Sequence, residues 1–286
     1  MAFLDEILKR KAAELSVAKT MRTFGDLKGM IRDAPAVRPF AASFGKEFGL
    51  IAEIKRRSPS GGDMRKENVD RAAAVYAQSS AVKAISVLTN TADFGMGMED
   101  LSRVKAEAPQ PVLRKDFIFE EYQIYEARAF GADALLLMVN VLDRDRLRRL
   151  FELSSELKMD VLFEAHTKEE IDLIPEGAKL YGINSRKFKA SNRWFLTKLM
   201  VQLGLAKSGK GPDLSVDLET FALIQHLPSH AIKIAESGLK PEQIPQVIQL
   251  GYNAVLVGAS LLKAEEGIER MLGRFENAIA VAARID

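Results

Sequence analysis

The sequence contains no cysteine and only three histidines, His166, His226 and His230. The missing thiols exclude disulfide bonds, thiolate nucleophiles and cysteine-based metal sites. Three scattered histidines also offer little material for a histidine-rich metal centre. Any catalysis must therefore use lysine, glutamate, aspartate and asparagine, and we predict no metal site.

Long apolar runs and a charge excess are missing as well. The longest apolar candidate, Ala134–Val139, ends at Asn140 and falls far short of the ~18 residues that cross a bilayer. The first ten residues mix charges into their apolar positions, unlike a signal peptide. A formal net charge of +2 gives no reason to expect a nucleic-acid partner. These features predict a soluble, cytoplasmic protein with no membrane or nucleic-acid partner.

Short apolar segments rich in β-branched residues alternate with stretches of helical periodicity along the chain. This alternation is typical of a parallel sheet wrapped by helices. A length of 286 residues suits one barrel of eight strands, which typically needs ~250. We therefore predict a single α/β domain over residues 1–286, a (β/α)8 TIM barrel. Its strands should end near Lys55, Leu88, Lys115, Met138, Glu164, Asn184, Glu236 and Val257.

Two segments lie outside this regular alternation. Residues 1–48 show helical patterns over 4–17 and 24–33, which predicts an N-terminal helical extension closing over the barrel. Residues 189–215 lie in the unusually long interval after strand six and combine an amphipathic helix pattern with a glycine- and lysine-rich linker. We expect this inserted helix to pack over the barrel mouth or to form a subunit contact. The alternative is a surface elaboration that the fold tolerates.

Several predicted strands end in charged side chains. Because the carboxyl ends of barrel strands meet on one face, these charges should converge there. Glu53 and Lys55 are two residues apart and so point to the same side of their strand. Lys115, at the end of a predicted strand, could act as an acid catalyst, and Glu164, a carboxylate in an apolar mouth, could act as a general base. Alternatively, each of these charged residues could belong to a structural ion pair.

Small residues follow strands seven and eight. The pairs Ser237-Gly238 and Gly258-Ala259 stand where backbone N–H groups of such barrels commonly bind phosphate. Two tight turns that need glycine would give the same pattern. The segment 56–62 is cationic and rich in hydroxyl groups, which is consistent with a flexible lid over an anionic substrate or with an ordinary surface loop.

Taken together, these motifs resemble the indole-3-glycerol phosphate synthase family, lyases of tryptophan biosynthesis. The resemblance covers nearly the whole chain and is carried by motifs in a fixed order: Ile51–Ser60, Leu113–Phe117, Gly182–Arg186, Ala235–Gly238 and Val257–Leu261. It implies conversion of 1-(2-carboxyphenylamino)-1-deoxyribulose 5-phosphate to indole-3-glycerol phosphate, carbon dioxide and water without a cofactor. The partner would be a phosphorylated small molecule, and the protein a monomer or weak homodimer.

The resemblance also implies a role for each site residue. Lys115 would be the acid for ring closure, Lys55 would hold the substrate carboxylate or donate a proton, and Glu164 would be the base in dehydration. The assignment of the two lysines to particular steps stays open. Asn184 and Glu236 would orient the substrate, and Glu53 would hold the lysines. The substrate-binding residues would be Ser58, Ser237, Gly238, Gly258 and Ala259 at the phosphate, Phe94, Phe117, Leu136 and Phe188 around the aromatic ring, and Arg186.

Two other functions compete with this one. A sugar-phosphate isomerase resembling phosphoribosylanthranilate isomerase would share the phosphate site, but it typically places aspartate or cysteine at its strand ends. Lys55, Lys115 and Glu164 argue against it. A non-catalytic barrel that binds a phosphorylated ligand is the second alternative, and turnover distinguishes it from an enzyme.

Overall fold

Eight parallel strands close into a barrel in the structure, a computed structural model that describes residues 3–45, 47–59, 61–186 and 218–284. Each strand pairs with its neighbours in sequence, and the last pairs with the first. The TIM barrel prediction is confirmed. The strands are β1 Gly49–Ile54, β2 Val82–Leu88, β3 Val112–Lys115, β4 Ala134–Met138, β5 Asp160–Ala165, β6 Leu180–Asn184, β7 Ile232–Glu236 and β8 Ala254–Val257.

Helices surround this barrel. They are α1 Phe3–Met21, α2 Phe24–Asp33, α3 Lys66–Ala77, α4 Thr91–Phe94, α5 Met98–Glu107, α6 Glu121–Ala129, α7 Arg144–Glu156, α8 Lys168–Ile171, α9 Ile244–Gln249, α10 Ala259–Leu262 and α11 Ile268–Ala282. Short 3-10 segments lie at Ala41–Ser43, Val139–Val141, Leu218–His226 and Pro241–Gln243. Among the described residues, no helix is both long enough and apolar enough to cross a membrane.

The strands alternate between two apolar environments. One set of side chains fills the barrel, for example Ile51, Leu113 and Leu162, and the intervening set packs against the helices, for example Leu50 and Phe163. Burying each of these side chains stabilises the fold by roughly 1.5–3 kcal/mol. Because the side-chain period of a strand is two, the inward-facing positions continue to the charged residues at the strand ends. The same alternation that builds the core therefore directs those charges into the mouth.

The N-terminal extension reaches both ends of the barrel. Helix α1 lies at the mouth, where Ile7 is buried with the barrel core. A capping box between Thr23 and Asp26 starts α2. The Ala41 N–H then donates to Asp160 Oδ2 at the start of β5, 2.8 Å away, which anchors the extension at the opposite end. The predicted segment 189–215 lies outside the described residues.

The cationic segment after β1 forms a small hairpin. Arg57–Ser58 pairs antiparallel with Gly62–Asp63, which the interpretation as a flexible lid did not include. Arg56 binds Asp100 and the Gly95 carbonyl. Arg57 donates to the Thr91 and Ala92 carbonyls. Both arginines are therefore engaged with the α4–α5 segment rather than aimed at the barrel mouth.

Candidate active site

A pocket with an empty volume of about 820 Å3, part of it open to solvent, lies at the carboxyl ends of the strands. It brings together residues from seven of the eight barrel strands and the loops that follow them. The predicted site residues that line it are Glu53, Lys55, Phe94, Lys115, Phe117, Leu136, Glu164, Asn184, Arg186, Ser237, Gly238, Gly258 and Ala259. Glu236 joins them through its contact with Lys115.

Lys115 is held between two carboxylates. Its Nζ lies 2.7 Å from Glu164 Oε2 and 3.0 Å from Glu236 Oε2. Both glutamates are almost fully buried, at 2% and 1% exposure, whereas Lys115 is partly open to the pocket. The end of β3 supplies the lysine, and β5 and β7 supply the carboxylates from across the barrel. The ammonium group is thus fixed in place but can still contact a ligand.

The three charges bias one another's protonation. Burial lowers the pKa of Lys115, but the charges of Glu164 and Glu236 raise it by more, so the pKa lies above its ordinary value. Burial raises the pKa of Glu164, yet the Lys115 charge outweighs it and the net pKa is lowered. For Glu236, burial and the neighbouring Glu164 charge outweigh Lys115, and the pKa rises to about 8. Of the two glutamates, Glu236 therefore takes up a proton first as the pH falls, and Glu164 keeps its negative charge to lower pH.

Glu53 on β1 and Lys55, directly after that strand, form a second ion pair. Lys55 Nζ donates to Glu53 Oε1 at 2.5 Å, and both side chains are largely buried. Gly258 makes room for this pair, because a Cβ at that position would lie 2.5 Å from Glu53 Oε1. Lys55 thus presents a second, separately held cation to the pocket.

Polar groups surround the Glu164 carboxylate. The Asn184 side chain donates to it, while Asn184 Oδ1 accepts from the Arg186 N–H at 2.9 Å. His166 Nε2 lies 3.6 Å from Glu164 Oε1, and its Nδ1 lies 3.1 Å from Glu170 Oε2. Burial lowers the pKa of His166, but its hydrogen bond to the Glu170 carboxylate and the Glu164 charge raise it overall. His166 therefore contacts the Glu164 carboxylate without lining the pocket itself.

The loops after β7 and β8 shape the predicted phosphate end. Ser237 and Gly238 both adopt positive φ, +75° and +69°, which turns the backbone sharply; this conformation strains a serine and suits a glycine. Ser185 Oγ supports the turn by donating to the Ser237 carbonyl at 3.0 Å. Gly258 is the N-cap residue of α10. The backbone of both turns lines the pocket.

Apolar side chains form the opposite part of the pocket. The predicted walls Phe94, Phe117 and Leu136 are present. The sequence analysis did not predict five further apolar lining residues, Leu88, Met138, Leu239, Leu256 and Val257. Leu239 lies in the loop after β7, and the other four stand at the last inward or rim positions of their strands, so the strand ends were the available signal for them. Asp116 was also missed as a lining residue.

Two predicted residues are not part of this pocket as described. Ser58 does not line it, and its Oγ accepts from the Gly61 N–H at 3.1 Å within the hairpin. Phe188 falls in the part of the chain outside the described residues. Within the described ranges, no group of histidine, aspartate and glutamate side chains is arranged to hold a metal ion.

Comparison with known proteins identifies the family. The family model described as indole-3-glycerol phosphate synthase matches residues 4–199. The chain belongs to the indole-3-glycerol phosphate synthase family. Proteins of that name from Paenarthrobacter aurescens and Streptomyces griseus are 35% and 34% identical to it. The first alignment covers 99% of this chain and 100% of that protein, and the second covers 93% and 92%.

Solved structures support the barrel independently of that family. A 3-hexulose-6-phosphate synthase from Salmonella typhimurium superposes with a TM-score of 0.57 over 82% of this chain and 99% of that chain, at 14% identity. A thiamine phosphate pyrophosphorylase from Pyrococcus furiosus superposes with a TM-score of 0.53 over 82% and 96%, at 11% identity. At such low identity these likenesses concern the fold alone.

Proposed function

We propose that this chain is an indole-3-glycerol phosphate synthase, the carboxy-lyase of tryptophan biosynthesis. Its substrate would be 1-(2-carboxyphenylamino)-1-deoxyribulose 5-phosphate, and its products indole-3-glycerol phosphate, carbon dioxide and water. The observation that carries the proposal is Lys115, an ammonium group held between Glu164 and Glu236 in a pocket with an apolar wall. Family membership supports the same reaction.

Ring closure requires an acid. A bond forms between the arene carbon that bears the carboxylate and the carbonyl carbon of the deoxyribulose, and the carbonyl oxygen takes a proton. We assign this donation to Lys115, because its raised pKa keeps it protonated and its position is fixed by two carboxylates. The carboxylate then leaves as carbon dioxide, and the electron pair of the broken bond restores the aromatic ring.

Loss of water requires a base as well as an acid. The hydroxyl formed from the carbonyl leaves as water after protonation, while the adjacent carbon, which is bonded to nitrogen, loses a proton. Glu164 suits this second role because its pKa is lowered by Lys115 and it is ionised at neutral pH. Asn184 orients the carboxylate through its hydrogen bond.

The remaining pocket residues suit the two ends of the substrate. Lys55, held by Glu53, can pair with the substrate carboxylate until it leaves. Phe94, Phe117 and Leu136 form the wall for the arene. The turns at Ser237-Gly238 and Gly258-Ala259 supply backbone N–H groups for the phosphate, and Arg186 adds a cation at the rim of the pocket.

A fluorescence assay for indole product tests this function directly. Purified protein incubated with the carboxyphenylamino-deoxyribulose phosphate should release indole-3-glycerol phosphate with many turnovers. Tight binding of the product without any turnover would instead favour the alternative of a non-catalytic, phosphate-binding barrel. The isomerase alternative would rearrange phosphoribosylanthranilate, and the lysine and glutamate set at the strand ends argues against it.

The role of the segment 189–215 and the assembly as a monomer or weak homodimer are predictions from the sequence. We propose that this segment covers the mouth or contacts a second subunit, because its sequence has one apolar helical face and follows a strand that ends at the pocket. Deleting residues 192–211 and measuring both the KM and the molecular mass tests this, since no change in either would remove the idea. The cytoplasmic location is likewise still a prediction.

A further inference from the structure

A lysine of the N-terminal extension is buried at the rim of the pocket. Lys11, in the middle of α1, is only 3% exposed. Its Nζ lies 2.6 Å from Asp116 Oδ2 and donates to the Thr89 carbonyl at 3.1 Å. It also reaches Glu14 at 3.1 Å, one turn along α1. A buried ammonium is costly unless it is paired, and Asp116, Thr89 and Glu14 together supply the partners of Lys11.

Asp116, the partner of Lys11, belongs to a closed set of buried polar groups. Its Oδ2 also accepts from Thr89 Oγ1 at 2.8 Å and from Arg114 at 2.9 Å. Arg114 in turn pairs with Glu126 at 2.8 Å. Lys11 and Arg114 therefore balance the charges of Asp116 and Glu126. Removing Lys11 would leave the Asp116 carboxylate, whose side chain is fully buried, with one cation fewer.

The two residues that Lys11 binds, Asp116 and Thr89, each precede a residue of the aromatic wall in the chain, Phe117 and Phe94. Asp116 follows Lys115, and its Oδ1 accepts from the Phe117 N–H at 2.9 Å. Thr89 directly follows β2, and the chain then enters α4, whose last residue is Phe94. One ammonium thus connects the backbone that positions Phe94 with the backbone that positions Phe117 and Lys115.

A second contact from the same helix reaches the same wall. Arg10 Nη2 lies 2.6 Å from Asp93 Oδ1, and Asp93 precedes Phe94 directly. The Asp93 side chain is 8% exposed, although that of Arg10 is half open to solvent. Consecutive residues of α1 therefore hold both sides of the arene end.

We propose that α1 is a positioning element of the active site, in which Lys11 and Arg10 set the spacing of Phe94 and Phe117 and hold the end of β3. The inference rests on the proposed function, because the arene is the part of that substrate which these walls would bind. Neither side chain lines the pocket, so both act through Asp116, Thr89 and Asp93. The extension is then a part of the catalytic apparatus rather than only a stabilising addition.

The structure offers a matched control for a purely stabilising role. Lys105 is also 3% exposed and lies 2.5 Å from Asp133, which is fully buried, at the opposite end of the barrel. Breaking either pair leaves a buried carboxylate short of one cation and destabilises the fold. Only the Lys11 pair adjoins the pocket.

The test compares Lys11→Met with Lys105→Met for both urea unfolding and steady-state kinetics on the carboxyphenylamino-deoxyribulose phosphate. We expect similar losses of stability from the two variants, but a fall in kcat/KM of roughly tenfold or more for Lys11→Met alone, because small misplacements cost rate steeply. Lys11→Arg, which keeps the charge, should recover most of that loss. Equal kcat/KM in the two methionine variants would overturn the proposal, whereas absence of turnover in the wild type would contradict the proposed function instead.

A second pair of variants keeps the test decisive if Lys11→Met does not fold. Arg10→Gln removes the half-exposed contact to Asp93, and Arg22→Gln removes the exposed contact of the same extension to Glu99. Both ion pairs are near the surface, so both variants should fold. We expect a KM raised by about threefold in Arg10→Gln with kcat nearly unchanged, as lost ground-state binding predicts, and no change in Arg22→Gln. Identical KM values would contradict the positioning role.

Discussion

Lys115 Nζ lies 2.7 Å from Glu164 Oε2, so the proposed acid and the proposed base are in direct contact before substrate enters. This contact raises the pKa of Lys115 and lowers the pKa of Glu164, so the lysine stays protonated while the glutamate stays ionised. Each charge stabilises the other against the cost of burial. Both groups line the pocket, so a bound substrate could contact the proposed acid and the proposed base together.

Glu164→Gln should abolish most turnover without preventing binding. The amide keeps the size of the side chain but cannot accept a proton, and general bases typically contribute about 10²–10⁴-fold. We expect a kcat lowered by that factor, measured by product fluorescence, and product affinity within a few-fold of the wild type. Asp133→Asn is the control, because Asp133 is an equally buried partner of a lysine far from the pocket. Loss of activity in both variants alike would contradict the assignment.

The raised pKa of Glu236 predicts a pH-dependent stability. The folded protein keeps this proton up to about pH 8, whereas the unfolded chain releases it near the ordinary value of 4.5. Between these values the folded state binds more protons, so the free energy of unfolding should fall as the pH rises. Urea titrations from about pH 5 to about pH 8 measure this slope. Glu236→Gln, which cannot titrate there, should flatten it, and an unchanged slope would show that Glu236 is not the group responsible.

Gly182 is predicted to be required for the position of Glu236. A Cβ on Gly182 would lie 2.0 Å from Glu236 Oε1 and 3.3 Å from Leu162 Cδ1. Gly182→Ala should therefore push the Glu236 carboxylate away from Lys115 and lower kcat/KM by up to about 10²-fold. Gly273→Ala, where nothing lies within 4 Å in α11, should stabilise the protein slightly and leave kcat/KM unchanged. Equal activity in both variants would argue against a fixed Glu236.

The charged strand ends could be predicted because a strand has only two faces. Glu53 and Lys55 share a face by their spacing, and the pocket contains both. Six predicted ends, such as Lys115 and Glu236, coincide with the ends of the strands in the structure, and the other two fall within one residue. Local periodicity sufficed there, since barrel closure brings all the carboxyl ends together.

Contacts between distant segments and hydrogen bonds within turns could not be predicted from strand periodicity. Lys11 looks like a surface lysine in an amphipathic helix, and its burial depends on Asp116, far along the chain. Ser58 fits a phosphate motif by sequence, yet the hairpin turns its hydroxyl toward Gly61. The partner of Lys11 comes from tertiary packing, and the partner of Ser58 comes from the turn of the hairpin. Neither partner can be read from the residue's own periodicity.

The measurement that tests the account most directly is the turnover of the carboxyphenylamino-deoxyribulose phosphate by the wild type beside Lys115→Ala, followed by product fluorescence. A matched unfolding curve shows that the variant is folded. The account predicts indole-3-glycerol phosphate from the wild type and a rate lower by several orders of magnitude in Lys115→Ala. Similar rates from the two folded proteins would contradict the role of Lys115 as the acid, and no product from folded wild type would contradict the proposed function.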